Sequence, residues 1–183
     1  MTNSCSLPRN GTRITLRRLS ATDLDHFQAY RHDKEVGLYQ GWSPSSDSEA
    51  ISFLEAMSSA TLLRPGEWCQ IGIADRETGA LIGDIGICVG PQADEAEIGF
   101  TLRAQSHGLG LGAEAVTQAI DFLFEHTAIT RVVSITDARN LAAVRLLQRL
   151  GMQLLRTRNA FFRGEPCQEH FFSLSRHDRA WMP

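Results

Sequence analysis

The sequence predicts a mixed α/β domain in which antiparallel strands come first and a strand–helix segment follows. Two apolar runs, residues 68–74 and 80–89, flank the turn-forming segment 75–79, and this arrangement is typical of a β-hairpin. Farther along, an apolar strand at residues 97–102 precedes an amphipathic helix at residues 114–126. The order of these elements argues against a sheet built only from repeated βαβ units.

The part of the chain before the hairpin predicts one strand and two helices. Residues 13–19 alternate apolar and charged side chains, as a half-buried strand does. Ser20 is suited to cap a helix that extends through Tyr30, because its hydroxyl can accept from a free N–H of the first turn. Ser46 is suited in the same way to a second helix through Met57.

The part of the chain after the main helix predicts a strand, a helix and a closing hairpin. Residues 131–136 form an apolar run, and residues 139–150 repeat apolar side chains at helical spacing. Gly151 then ends that helix, since glycine readily adopts the left-handed conformation of a helix terminus. Two further strands, 153–162 and 168–174, flank a turn that contains glycine and proline.

Length and composition predict a soluble, single-domain protein spanning residues 1–183. The net charge of −3 argues against binding nucleic acid through a basic surface. The four cysteines are scattered, without a C-x-x-C pair, which predicts no metal site and a reducing, cytoplasmic environment. We also expect no signal peptide and no association with a membrane, because no long apolar run occurs.

Three glycines on alternate positions lie between the strand at 97–102 and the main helix. Gly108, Gly110 and Gly112 allow a tight turn and expose backbone N–H groups to a ligand. The following helix directs its unsatisfied N–H groups and the positive end of its dipole to the same place. The sequence therefore predicts an anion site, most simply one for a phosphate or a diphosphate.

Two classes of cofactor use such a loop. Residues 108–113 satisfy the dinucleotide pattern G-x-G-x-x-A, and Asp137 ends the next apolar run, where a Rossmann site places an acidic residue. This alternative is disfavoured, because the loop does not open the first unit of a repeated parallel sheet. A dinucleotide-dependent oxidoreductase is therefore kept only as a remote alternative.

A second pattern, Q-x-x-G-x-G from Gln105 to Gly110, resembles the acetyl-CoA loop of the Gcn5-related N-acetyltransferases (GNAT superfamily). Downstream, the segment that begins at Asn140 and ends at Gly151 resembles the second signature of that family. The resemblance covers a core of about residues 12–174. It is closest to the ribosomal-protein N-terminal acetyltransferase branch, which the segments 13–19 and 171–176, with Trp181 nearby, also resemble.

The resemblance implies a GNAT fold and acetyl-CoA as the cofactor, with CoA as the product. It implies a mixed, mostly antiparallel sheet flanked by helices, with a splayed parallel pair at 97–102 and 131–136. The free edge of the first of these strands can pair with the amide groups of pantetheine, and its N–H groups can steady a developing oxyanion. The residues expected to bind the cofactor are Phe100, Leu102, Gln105, Gly108, Leu109, Gly110, Leu111, Gly112, Ala113 and Asn140.

Glu97 is the candidate general base, because histone acetyltransferases of the superfamily carry a base in a similar A-E-I run. A structural strand carboxylate is the other interpretation of the same residue. Many members place a tyrosine after the asparagine as general acid, but Leu147 occupies that position here. The acid therefore stays open between water, Ser134, Thr136 and a residue of the closing hairpin.

The acceptor is expected to be an amine, either the α-amine of a protein N-terminus or a small amine. Tyr39, Trp42 and His170 are the candidate acceptor-binding residues, although core packing and a surface position are the alternatives for them. The missing tyrosine keeps a second function open, that of a non-catalytic domain that binds or senses acyl-CoA. The apolar closing hairpin is compatible with a homodimer.

Overall fold

The computed structural model describes residues 7–180, which form an eight-stranded sheet and five α-helices. Trp181 lies outside the described residues. The strands β1 to β8 are Arg9–Asn10, Ile14–Arg18, Trp68–Asp75, Leu81–Val89, Glu95–Leu102, Arg131–Asp137, Gln153–Phe162 and Glu165–Ser175. The helices α1 to α5 are Leu24–Arg31, Asp47–Ser59, Leu111–His126, Leu141–Arg149 and Arg176–Ala180.

The strands of the sheet follow the order β1-β2-β3-β4-β5-β6-β8-β7, and every pair is antiparallel except β5 with β6. The parallel pair is short, because it runs only from Glu95 opposite Arg131 to Glu97 opposite Val133. Beyond Glu97 a side chain joins the two strands in place of backbone pairing: the hydroxyl of Ser134 donates to the Ile98 carbonyl over 3.0 Å. The predicted splayed parallel pair in a mostly antiparallel sheet is therefore confirmed.

Helices cover both faces of the sheet, and β4 shows how its residues divide between the two layers. Ile85 is fully buried in the core that also contains the apolar face of α3. The neighbouring residue, Asp84, accepts a hydrogen bond from the phenol of Tyr30 on α1. Because consecutive side chains of a strand point to opposite faces, α1 and α3 lie on opposite sides of the sheet.

The helix starts follow the predicted caps at both of the first two helices. Ser20 forms a capping box with Asp23, and the helix begins with a 3-10 turn before α1. Ser46 forms a capping box with Glu49 at the start of α2. Each box satisfies two backbone N–H groups that the first helical turn leaves without partners.

The start of α3 and two short elements differ from the prediction. Helix α3 begins at Leu111 rather than at residue 114, and it includes Gly112, where a Cβ would lie 3.0 Å from the Leu146 side chain. Glycine is therefore retained inside this helix to let α4 approach. Strand β1 and helix α5 were not predicted, because two and five residues are too few to show a period.

Candidate active site

A cleft of about 890 Å³ opens where β5 and β6 part. Its walls come from the glycine loop, the start of α4, the segment after α1 and the closing hairpin. Nine of the predicted site residues line it: Tyr39, Glu97, Phe100, Leu102, Gly108, Gly110, Gly112, Ala113 and Asn140. The other five do not: Trp42, Gln105, Leu109, Leu111 and His170.

The glycine loop has the geometry that an anion site requires. Gly108 and Gly110 have φ angles of +73° and +80°, which side-chain-bearing residues rarely adopt. A Cβ at Gly108 would meet no atom within 4 Å, so the loop backbone can be approached closely. Gly110 also caps α3, a helix of 16 residues whose first N–H groups have no intrahelical acceptor.

Arg13 fixes the loop without lining the cleft. Its guanidinium donates to the Leu109 carbonyl over 2.8 Å and to the Glu114 carboxylate over 3.0 Å. Leu109 and Leu111 line a second, shallower cavity of about 590 Å³ together with Arg13. Leu109 and Leu111 therefore separate the glycines along the chain and do not line the cofactor cleft.

The edge of β5 that faces the cleft carries the peptide groups of Phe100 and Leu102. Arg103 donates its N–H to the Ile82 carbonyl of β4. Because the peptide groups of consecutive strand residues point in opposite directions, those of Leu102 and Phe100 point away from β4. Gln40 donates its side-chain amide to the Phe100 carbonyl over 3.3 Å. The His107 ring donates from Nε2 to the Leu102 carbonyl over 2.8 Å, which holds this exposed histidine against the strand.

Glu97 lies half-buried at the last residue of the parallel pairing. Burial raises the pKa of its carboxyl, and the negative charges of Glu95 and Glu169 raise it further, whereas Arg158 lowers it. None of the described residues hydrogen-bonds to this carboxyl, while Glu169 is held by Arg158 over 2.8 Å. Glu97 is thus a carboxyl that is free to exchange a proton in the cleft.

Asn140 and Asp137 have defined structural partners at the start of α4. The Asn140 side chain accepts from the Ala143 N–H over 3.2 Å, so it caps the helix and lines the cleft at once. Asp137 is held by both the guanidinium and the backbone N–H of Arg139, and this contact lowers the pKa of its carboxyl. The ion pair with Arg139 therefore gives Asp137 a structural role, and the ribose-binding role of a Rossmann site is not needed to explain it.

The predicted acceptor residues lie in three different settings. Tyr39 lines the cleft, with the Arg139 guanidinium 5.9 Å from the centre of its ring. Trp42 stands behind that wall, where its ring stacks on the Arg31 guanidinium at 4.4 Å. His170 hydrogen-bonds through Nδ1 to the Thr157 hydroxyl over 2.8 Å and lies outside the lining.

Strand β6 and the closing hairpin bring three proton-bearing side chains to the cleft as candidates for the general acid. Leu147, at the position of the family tyrosine, is fully buried in the core and bears no proton to give. Ser134 and Thr136 of β6 line the cleft with hydroxyl groups. The closing hairpin adds Cys167, whose pKa is raised by burial and by the nearby carboxylates of Asp137 and Glu169, so its thiol stays protonated near neutral pH.

Several cleft residues were not singled out from the sequence, although they bear charge or a large ring. They come from the segment after α1, from α4 and from the closing hairpin, and no local pattern distinguishes them from a solvated surface. These residues are Glu35, Arg145, Arg149, Phe162 and Glu169.

Two kinds of site are absent from residues 7–180. No group of three or more His, Cys, Asp or Glu side chains is arranged to hold a metal ion. No helix in this range combines the length and the apolar character that crossing a bilayer requires.

The sequence matches a known family of acetyltransferases. Residues 13–153 match the family model of the acetyltransferase (GNAT) domain. An uncharacterized N-acetyltransferase p20 from Bacillus licheniformis is 29% identical over 143 residues, which are 77% of this chain and 79% of that protein.

Solved structures agree at the level of the fold. A GNAT-family acetyltransferase from Bacillus anthracis superposes with a TM-score of 0.82 at 15% identity, covering 92% of this chain and 98% of that one. RimL, a ribosomal L7/L12 α-N-protein acetyltransferase solved with CoA, gives 0.79 at 14% identity, covering 95% and 99%. With most of its length matched by the family model, the chain belongs to the GNAT acetyltransferases, which use acetyl-CoA.

Proposed function

We propose that this protein transfers an acetyl group from acetyl-CoA to a primary amine, and that the preferred acceptor is the α-amine of a polypeptide. The observation that carries the proposal is Glu97, a carboxyl with a raised pKa and no hydrogen-bonding partner among the described residues. It lies where the sheet opens, beside the free edge of β5.

The donor half of the cleft fits the chemistry of CoA. The glycine loop and the first turn of α3 offer backbone N–H groups to the diphosphate. The N–H groups of Phe100 and Leu102 offer strand-like hydrogen bonds to the carbonyl groups of the pantetheine arm, while their own carbonyls already accept from Gln40 and His107. When bound, acetyl-CoA supplies an acetyl group that is already activated as a thioester, so the protein needs mainly to position the acceptor and to move protons.

The acceptor half requires a base, because an ammonium group cannot attack. A carboxylate with a raised pKa can take that proton directly or through one water. An α-amine, with a pKa near about 8, releases a proton far more easily than a lysine-like amine near about 10.4. Glu97 therefore suits an α-amine, and the name of RimL, an α-N-protein acetyltransferase, supports the same acceptor class.

The departing thiolate is the easier half of the reaction. A thiol with a pKa near about 8.5 is a tolerable leaving group near neutral pH, so a strong acid is not required. Thr136 and the protonated thiol of Cys167 are cleft groups that can supply the proton, whereas the Ser134 hydroxyl already donates to the Ile98 carbonyl.

The experiment measures thiol release from acetyl-CoA with three acceptors. The first is a lysine-containing peptide with a free N-terminus, the second is the same peptide with a formylated N-terminus, and the third is a simple alkyl diamine. We expect turnover with the first peptide and at least about tenfold less with the other two, reflecting the lower basicity of the α-amine. Turnover that prefers the diamine would instead make the protein a small-amine acetyltransferase.

The second candidate function is a non-catalytic domain that binds or senses acyl-CoA. It is favoured by one observation, the fully buried Leu147 in place of a proton-donating tyrosine. Calorimetry that shows CoA binding, together with no thiol release across the acceptor panel, would support this function over the transferase.

A further inference from the structure

Helix α4 presents two arginines without partners to the cofactor cleft. Arg145 and Arg149 are one helical turn apart, are exposed, and line the same cleft as the glycine loop. Among the described residues, neither guanidinium takes part in a hydrogen bond or an ion pair, whereas Arg139, just before the helix, is held by Asp137. Two adjacent positive charges with no counter-charge indicate a place for an anion.

Arg145 and Arg149 lie on a helix that packs beside the anion site of the glycine loop. A Cβ at Gly112, in the first turn of α3, would lie 3.0 Å from the Leu146 side chain. The first turn of α3 and the middle of α4 are therefore in direct contact, and Arg145 precedes that contact residue. A diphosphate on the glycine loop would therefore share the cleft with both arginine side chains.

The glycine loop and the two arginines suit different phosphate groups. The loop and the helix terminus offer N–H groups and partial charge, which match the diphosphate. Two guanidinium groups offer full charges and planar pairs of donors, which match a phosphate monoester carrying close to two negative charges. CoA has one such monoester, on the 3′ oxygen of its ribose.

We propose that Arg145 and Arg149 bind the 3′-phosphate of CoA and select the donor over its 3′-dephospho form. The proposal rests on the proposed function, since it assumes that CoA occupies this cleft. It adds a determinant of donor specificity that lies on α4, outside the glycine loop.

Calorimetry with CoA and with 3′-dephospho-CoA tests this assignment. We expect the wild-type protein to bind CoA at least about tenfold more tightly, and the double variant Arg145→Gln, Arg149→Gln to bind both forms within about twofold of each other. Affinity for dephospho-CoA should be the same in both proteins. The preference for CoA should also shrink as salt is added, because the contact lies at an exposed wall.

Arg64→Gln is the matched control, because Arg64 is an exposed arginine outside the cleft and its loss changes the net charge equally per site. It should leave both affinities unchanged. A double variant that weakens both forms equally would assign the arginines to the adenine or the diphosphate and overturn the proposal. Equal affinity of the wild-type protein for the two forms would overturn it as well, while no binding of either form would overturn the proposed function itself.

Discussion

Replacing Glu97 with glutamine removes the base and little else. The side chain keeps its size, and no hydrogen bond within the described residues is lost, because the carboxyl accepts none. The pKa of Glu97 lies above its usual 4.5 in the folded protein, so ionising it costs stability as the pH rises from about 4.5 through the folded pKa. Below that window both states are protonated and the cost vanishes. Glu97→Gln should therefore unfold with equal or greater free energy at neutral pH.

The effect on turnover should be large. General bases contribute about 10²–10⁴-fold, which corresponds to about 2.7–5.4 kcal/mol of transition-state stabilisation. CoA affinity should stay near the wild-type value, because the glycine loop and the peptide groups of β5 that we assign to the donor are untouched. Raising the pH should restore part of the rate, since more of the acceptor amine is then already neutral.

The assay is the pH dependence of kcat from thiol release, with Glu169→Gln as the matched control. Glu169 also lines the cleft, and its charge helps to raise the pKa of Glu97, but it is paired with Arg158. Removing it takes away a like charge and leaves Arg158 without its partner, so the pKa of Glu97 should fall. The acid limb of the rate profile should move to lower pH, with the plateau largely kept.

Either of two results would refute this reasoning. If Glu97→Gln keeps near-normal kcat at neutral pH, the carboxyl is structural and the acceptor loses its proton in solvent or to another group. An acid limb that does not move in Glu169→Gln would likewise separate Glu97 from the titration that limits the rate.

Three further changes test the loop, the cap and the buried charges. Gly110→Val, at a φ of +80°, should lower CoA affinity at least about tenfold in calorimetry, whereas Gly66→Val, with equal strain at +81° outside the cleft, should not; equal affinity in both would remove the loop from the cofactor site. Asn140→Ala should lower the free energy of unfolding in urea by about 1 kcal/mol, and Asn140→Ser should recover most of it; no loss on the alanine change would contradict the cap. Asp84→Ala leaves the Arg31 guanidinium buried without its carboxylate and should cost about 3–5 kcal/mol in the same assay; a loss below about 1 kcal/mol would mean that water reaches the pair.

The regular parts of the fold could be predicted because each has a local signal. Ser20 and Ser46 start their helices as expected, and the glycine after α4 ends that helix with a φ of +72°. The start of α3 was misplaced by three residues because Gly112 disfavours a helix locally, and only the approach of Leu146 explains its presence there. Packing between two helices cannot be inferred from either helix alone.

The residues of the candidate site could be predicted from the sequence where a single segment forms the site. They could not be predicted where several distant segments meet to form it. Gly108 and Gly110 carry their geometry in the sequence, because their left-handed backbone favours glycine. Arg145 and Arg149 have the spacing of any exposed helix face, so only their position in the cleft distinguishes them. His170 hydrogen-bonds to Thr157 and lies outside the cleft lining, and no local pattern of its strand indicates this.

The tip of the closing hairpin is joined to the segment after α1 by one side chain. The Arg163 guanidinium donates to the Gln40 carbonyl over 3.2 Å and to the Trp42 carbonyl over 3.0 Å, while the Gln40 side chain reaches Phe100. Two pieces of chain separated by more than a hundred residues therefore behave as one surface. A chimera that exchanges acceptor preference with a relative must carry both pieces together, because either piece transplanted alone would lose the arginine or the carbonyl groups that receive it.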